Sequence, residues 1–334
     1  MLLFRAMLAL AVLAAAGGQA AAEPTRVRVA QAGESLLFLP ATVASALGYF
    51  QEAGLEVTPV VAGGGGAEVR ALLAGRADFA IAGGPEHLAA LERGAKLLAV
   101  ASLGDRLAMG VAIHLEVAQA RGITAESPVA ERLKALKGLT VGASGVGALS
   151  WLVAEDLLRR AGYTPGQDVT MLAAGAGPVL LAALEQRKVD VLVEAIPVPE
   201  TAVDRGAAVL LVNLARGEDP ELGEFLLASL LVRPDFAGRE PDTVRRTVRA
   251  LLRGSRFIAD RSPEEIVAVL EGTGLNKFPR GVLQAAVTSL KGAFPPHGRL
   301  SQRALDVTQR LLREAGRLRR SFTLLEVYTP AFLP

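Results

Sequence analysis

One short unit recurs along much of the chain: a β-prone run, a glycine-bearing turn, then a helix that stops at another glycine. It is read at 55–61, Gly63 to Gly66 and 67–74, stopped by Gly75, and at 77–82, Gly83-Gly84 and 85–93, stopped by Gly94. A further strand at 96–102 and a break follow, and then the unit returns. The later copies are strand 139–143 with helix 147–161, strand 169–173 with helix 178–187, and strand 189–194 with helix 199–205. A strand at 27–30 and a helix at 40–53, opened by Pro40 and stopped by Gly54, come first. Proline suits the first helical turn, where its missing N–H is no loss, and glycine suits the left-handed stop. Strands alternating with helices of this length predict parallel sheets of βαβ units. Beyond Pro241 the chain turns helical, at 243–260, 263–271, 280–291 and 301–315, with Val244, Val248, Leu251 and Leu252 on one stripe.

Two runs of units separated by a break predict two α/β lobes. Segments 107–114 and 225–232 both read as extended, and two such strands are what a chain needs to leave the first lobe and return. This gives lobe 1 as 23–113 and 232–334 and lobe 2 as 114–231, with a hinge near Ile113-His114 and Leu231-Val232. The C-terminal helices are expected to pack on lobe 1. Two independent domains in tandem would give the same pattern, since chain crossings leave no mark in a sequence.

Composition narrows the function classes. Lys+Arg 36 against Asp+Glu 34 leaves a net charge of +2, and the densest basic cluster, Arg317 to Arg320, is short. That cluster is too isolated to argue for nucleic acid, and with aromatics at only 4% no base-stacking platform is expected, so no nucleic-acid partner is expected. Cysteine is absent, which removes disulfides, thiolate-ligated zinc, iron–sulfur clusters, thiol catalysis and a lipid-modified N-terminal Cys. Residues 1–22 read as a secretory signal: Arg5, an apolar run from Ala6 to Ala16 too short to span a bilayer, and an exit at Ala20-Ala21-Ala22. An uncleaved anchor is the alternative. The product is expected to be a soluble periplasmic monomer with no lipid anchor and no cofactor.

In open α/β sheets, ligands bind beyond the carboxyl ends of the strands. Those ends carry Gly33-Glu34-Ser35, Gly63 to Gly66, Gly83-Gly84, Ser144-Gly145-Val146-Gly147, Gly175-Ala176-Gly177 and Glu194. Glycine lets the backbone approach a ligand, and free N–H groups at helix starts favour acceptors. Any one of these loops is an ordinary βα turn; so many on one edge of two sheets predict a binding cleft. The expected ligand contacts are Ser35 and Leu36, Gly64 and Gly65, and Gly83 and Gly84 from lobe 1. From lobe 2 they are Ser144, Gly145, Val146, Gly147, Gly175, Ala176 and Glu194. Glu194 ends a buried-looking strand and is expected at the cleft floor, where a carboxylate needs a donor. An arginine of the protein or the next helix would satisfy it equally well.

Enzyme motifs are missing or broken. Gly63 to Gly66 lacks the Lys-Ser/Thr of a phosphate loop, and Val146 stands where a nucleophile elbow needs its second glycine. His87, His114 and His297 are scattered, so no zinc site is expected, and each reads as a surface or packing histidine. Asp78 in GRADFAIA and Asp190 in RKVDVLVE read as turn or capping residues, and Trp151 faces either cleft or core.

The stretch LPATVASALGYFQEAGLEV, with the glycine-rich loop after it and Ala74-Gly75 and Ala77-Asp78 beyond, resembles the first lobe of a group of ABC-transporter solute-binding proteins. These are the sulfonate, nitrate, taurine and thiamine-precursor binders. Leu136-Lys137-Gly138, Arg160-Ala161-Gly162, and Glu194 followed by Pro197 carry the resemblance through the second half, and LLVRPDFAGREPDTVRR resembles the return to lobe 1. The resemblance implies an α/β type II periplasmic-binding fold, with two lobes joined by two hinge strands and a ligand cleft between them. It also implies capture of a small organic ligand by lobe closure, and delivery to the permease subunits of an ABC importer. An enzyme on the same scaffold and a sensory subunit are the alternatives. The enzyme-like branch in thiamine pyrimidine synthesis carries a cysteine cluster that this chain lacks. The loop QAGESLLFLP is too apolar for a small hydrated anion such as nitrate. A ligand with an apolar body, an acceptor end and an N–H or hydroxyl donor fits better.

Overall fold

The computed structural model describes residues 23–33, 35–63, 66–124 and 126–334; the expected signal 1–22, and Gly64 and Gly65, lie outside them. One sheet holds β1 (Thr25–Gln31), β2 (Leu55–Val61), β3 (Phe79–Ala82), β4 (Leu98–Gly104) and, from much later, β10 (Ala228–Val232). The other holds β5 (Met109–His114), β6 (Thr140–Ala143), β7 (Thr170–Ala173), β8 (Val191–Ala195) and β9 (Ala208–Asn213). Their orders, β2-β1-β3-β10-β4 and β7-β6-β8-β5-β9, repeat one plan.

The helices fill the connections. α1 (Leu39–Ala46), α2 (Tyr49–Glu52), α3 (Ala67–Leu73) and α4 (Gly84–Glu92) serve the first sheet. α5 (Leu115–Ala120), α6 (Val129–Lys134), α7 (Leu149–Arg160), α8 (Pro178–Glu185) and α9 (Val198–Asp204) serve the second. The C-terminal run is α10 (Pro234–Arg239), α11 (Pro241–Asp260), α12 (Pro263–Leu270), α13 (Arg280–Leu290), α14 (Gln302–Glu314) and α15 (Leu324–Val327). The single helix expected at 40–53 is two, broken at Gly48, whose φ of +73° leaves the helical region.

The sheets are mixed rather than parallel throughout. β1 lies parallel to β2 and β3, and β6 to β7 and β8, but β10 runs antiparallel to β3 and β4, and β5 antiparallel to β8 and β9. Each reversed strand is the one the chain reaches from the other lobe, without the crossover helix that parallel neighbours need. Both expected boundaries therefore fall one strand late. Segment 109–114 already belongs to the second sheet and 228–232 to the first, so the chain crosses at 105–108 and 214–227. An extended run does not tell which sheet will take it. The crossings lie side by side: the Phe225 N–H donates to the Asp105 carbonyl at 2.8 Å and the Leu227 N–H to the Gly104 carbonyl at 3.1 Å.

Each sheet buries both faces, with side chains sorted by the period of two. Val27, Val29, Phe79 and Ile81 pack with Val244, Val248 and Leu251 of α11. Ala30, Ala80 and Ala82 face Leu72 and Leu88 of α3 and α4. In the second lobe Val191 and Val193 meet Val153 and Leu157 of α7, while Leu192 meets Leu180 and Leu184 of α8. A fifth cluster joins Leu36 and Leu39 to Ile196, Ala215, Ile258 and Ile266, spanning both lobes.

The C-terminal helices do more than cover the first lobe. In α14, Leu305 and Leu312 join the first-lobe core, whereas Val307 and Leu311 join that of the second. Apolar residues on two sides of one helix require two partners. Asp156 of α7, 4% exposed, takes Arg160 from its own helix at 2.8 Å and Arg310 from α14, and Arg160 also reaches Asp219 of the return crossing at 2.9 Å. Among the described residues no helix is long and apolar enough to cross a membrane, and no group of three or more His, Cys, Asp or Glu could hold a metal ion.

Candidate ligand-binding site

A cavity of about 390 Å³ lies at the strand carboxyl ends, lined from both lobes and from the return crossing. Lobe 1 contributes Ala32 beyond β1, Leu37 and Phe38 from the turn before α1, and Gly83 beyond β3. Lobe 2 contributes Ala148 and Leu149 at the start of α7, and the crossing adds Phe225 and Leu227. A larger hollow of about 620 Å³ sits between α3 and α4, but no lobe 2 residue lines it. Of these two, only the smaller is walled by both lobes at the strand carboxyl ends.

Its walls are apolar with three charges. Glu68, in the first turn of α3, is 3% exposed, and its Oε2 has no hydrogen-bond partner. Glu86, in the first turn of α4, lines the same cavity. Burial pushes its pKa up and the neighbouring Glu68 charge adds to that, against its own backbone amide and Arg317. Arg317, just beyond α14, reaches the cavity from the C-terminal run, and its Nη1 donates to the Gly147 carbonyl at 3.1 Å.

Of the described residues expected from sequence, Gly83 lines the cavity and the others take different places; Gly64 and Gly65 lie outside the described residues. A Cβ at Gly83 would stand 2.6 Å from Glu86 Oε2, so the missing side chain makes room for that carboxylate. Gly84 is spent on packing: its N–H donates to the Leu226 carbonyl at 2.8 Å, and a Cβ there would lie 2.4 Å from Leu226 Cβ. Ser35 accepts the Leu37 N–H at 3.2 Å as the cap of a short helical turn. Leu36 is 1% exposed in the core cluster that spans the lobes, and Leu37 and Phe38 face the cavity in its stead.

On lobe 2, the Ser144 amide donates to Ser150 Oγ at 3.1 Å and the two hydroxyls share a hydrogen bond, which shapes the loop ahead of Ala148. Gly145 and Gly147 border open space, and Val146 is 78% exposed. Gly175 and Ala176 lie beyond β7, outside the cavity wall; the Gly175 position is crowded by Val179, 2.8 Å from where a Cβ would be. Glu194 is 7% exposed and also absent from that wall. Its Oε1 accepts the Ala195 N–H at 2.8 Å, and its Oε2 has no partner. Trp151 is half-buried in α7, off the cavity wall.

Sequence reasoning passed over Glu68, Glu86 and Arg317. A signal was there: Gly66-Ala67-Glu68 and Gly84-Pro85-Glu86 put a glutamate at the same offset after two glycine loops. Arg317 left no such mark, because only the docking of α14 brings it to the cleft.

A family model described as NMT1/THI5 like matches residues 37–266. YtlA of Bacillus subtilis (strain 168), whose name gives it provisionally as a binding protein, is 20% identical over 311 residues, covering 88% of this chain and 84% of that one. The periplasmic aliphatic sulphonate binding protein SsuA from Escherichia coli superposes with a TM-score of 0.68 at 17% identity, over 92% of this chain and 99% of that one. The alkanesulfonate-binding protein SsuA from Xanthomonas axonopodis pv. citri, bound to MOPS, gives 0.63 at 20% identity, over 92% and 100%. A cysteine-to-serine variant of DszB in complex with biphenyl-2-sulfinic acid also gives 0.63, at 17% identity, over 92% and 97%. The two-lobed fold implied by the resemblance is thus the fold found, and the chain belongs to the NMT1/THI5-like family.

Proposed function

We propose that the protein is a periplasmic solute-binding protein that captures a small organic molecule between its lobes and delivers it to an ABC importer. The observation that carries this reading is the 390 Å³ cavity walled by both lobes and the return crossing, with Leu37, Phe38, Leu149 and Phe225 as apolar surface and few polar groups. Such a composition suits an organic ligand with a polar head, and a site shared by two lobes couples occupancy to closure. Family membership and the names of the similar structures support binding as the task. The chain has no cysteine, so thiol chemistry on this scaffold is closed to it.

In this reading the protein is a monomer whose lobe 2 loops, open at Gly145 and Gly147, move toward lobe 1 when ligand arrives. Closure is favoured only by as much as the ligand prefers the closed state. Mass spectrometry of protein prepared under native conditions should reveal a retained small molecule, and small-angle scattering should give a smaller radius of gyration with that molecule than after its removal. An unchanged radius at saturation would sink closure as the mechanism.

A further inference from the structure

Several of the similar structures carry names that state an anionic ligand, a sulfonate or nitrate. The cleft of this protein is built with the opposite bias. Two carboxylates and one guanidinium line it, and the guanidinium already donates to the Gly147 carbonyl across the lobe boundary. Glu68 is 3% exposed with Oε2 unpartnered, although a buried carboxylate is costly without a donor. Glu86 shares the cavity and lies near enough for the two charges to oppose each other. Gly83, bare of a side chain, gives it room. Two carboxylates converging on one apolar cavity are relieved together by a group that brings positive charge and several N–H donors.

Building on the solute-binding reading above, we propose that the ligand is a small organic cation, an apolar body carrying an ammonium or amidinium group, seated on Glu68 and Glu86. A ligand cation replaces the donor that the protein withholds from Glu68 and offsets the repulsion between the carboxylates. A sulfonate in the same place would add a third negative charge beside them. Leu37, Phe38, Leu149 and Phe225 take the apolar body. Arg317 stays at the rim, where it holds the Gly147 loop and can accept an anionic tail.

The test divides a deproteinised small-molecule extract of the source cells by ion exchange into cationic, anionic and unretained fractions. Each is added to the ligand-stripped full chain, and thermal unfolding is recorded. The cationic fraction should raise Tm by about 2 °C or more, and the rise should disappear in Glu68→Gln and fall at least tenfold in concentration response in Glu86→Gln. Both variants should melt no lower than the parent without ligand. Mass spectrometry of what the unmodified protein retains from the whole extract gives an arm that needs no variant, and it should identify an amine or amidine. A rise with only the anionic or unretained fraction, or retention of a sulfonate, overturns the cation and leaves the solute-binding reading standing. A cationic rise that survives both substitutions overturns the seat on Glu68 and Glu86. No rise with any fraction overturns this proposal and the solute-binding reading together.

Discussion

Asp78 and Asp190 hold equivalent places in the two sheets. Asp78 opens the approach to β3, and its carboxylate accepts the backbone N–H of Arg28 in β1 at 2.8 Å; Asp190 opens the approach to β8 and accepts the N–H of Thr140 in β6 at 2.9 Å. Each aspartate also donates its own N–H to the carbonyl of the same partner residue at 2.9 Å. The separation is 50 residues in both lobes. Arg28 additionally grips Asp78 with its guanidinium, at 2.8 and 3.1 Å. Each aspartate thus pins two neighbouring parallel strands together, β1 to β3 and β6 to β8, where GRADFAIA and RKVDVLVE read as carrying turn or capping residues.

Asp190→Ala is expected to cost about 1–3 kcal/mol, because the Thr140 N–H then loses its acceptor next to the sheet. Asp78→Ala should cost a similar amount, and the double variant should cost the sum, since the two sites sit in different lobes. Urea unfolding monitored by circular dichroism measures all three.

Gly84→Ala should destabilise by about 1–3 kcal/mol, because the new methyl would press on Leu226 Cβ at 2.4 Å and its carbonyl at 2.8 Å. Gly254→Ala in α11 should cost at least as much, since its Cβ would stand 2.2 Å from the Pro40 carbonyl of α1, where neither backbone can give way. Leu36→Ala belongs with these as a core change, costing about 2–5 kcal/mol.

His87 is fully buried in α4 with Nε2 unpartnered, and burial lowers its pKa to about 4, against a backbone hydrogen bond to Leu97. The unfolded chain takes up this proton near pH 6.5, while the folded one holds off until about 4. Stability is therefore lost as pH falls between those values, by roughly 3 kcal/mol in all. In His87→Gln the slope of unfolding free energy against pH between 6.5 and 4.5 should flatten; a slope equal to that of the parent would exclude His87 as its source.

Asp105 works in the opposite sense at the first crossing. Burial raises its pKa to about 6, helped by Glu224 and opposed by Arg106, and its Oδ1 has no partner. The folded chain keeps this proton to higher pH than the unfolded one, so stability falls as pH rises from about 4 to about 6. Asp105→Asn should recover roughly 1–3 kcal/mol at pH 7 and little at pH 4. Thermal melts at the two pH values compare them directly.

The alternation of strands, glycine turns and helices was legible because each element carries a local cause. A period of two buries Val27 and Val29 on one face, and Gly54 and Gly75 stop helices by taking φ values of +67° and +69°. The aspartates were legible for the same reason, since a carboxylate at a strand start acts on a neighbouring strand's backbone. Strand β9 went unread: it follows α9 with no glycine loop beyond it, and the break between lobes hid where the second sheet ends.

Which sheet takes β5 and β10 was settled only in three dimensions, because hydrogen-bond pairing between strands distant in sequence leaves an extended run looking the same in either sheet. The same applies to the cleft. Glycine loops mark several strand ends alike, and only folding spends the amide of Gly84 on Leu226, buries Leu36 among helices from the far end of the chain, and turns Leu37 and Phe38 inward. The sequence alone determined the order of strands, turns and helices in two runs of units, through local periodicity and turn chemistry. The tertiary structure decided the chemistry of the cleft, because Glu68 and Glu86 open successive helices of lobe 1 and Arg317 joins them only when α14 docks across both lobes.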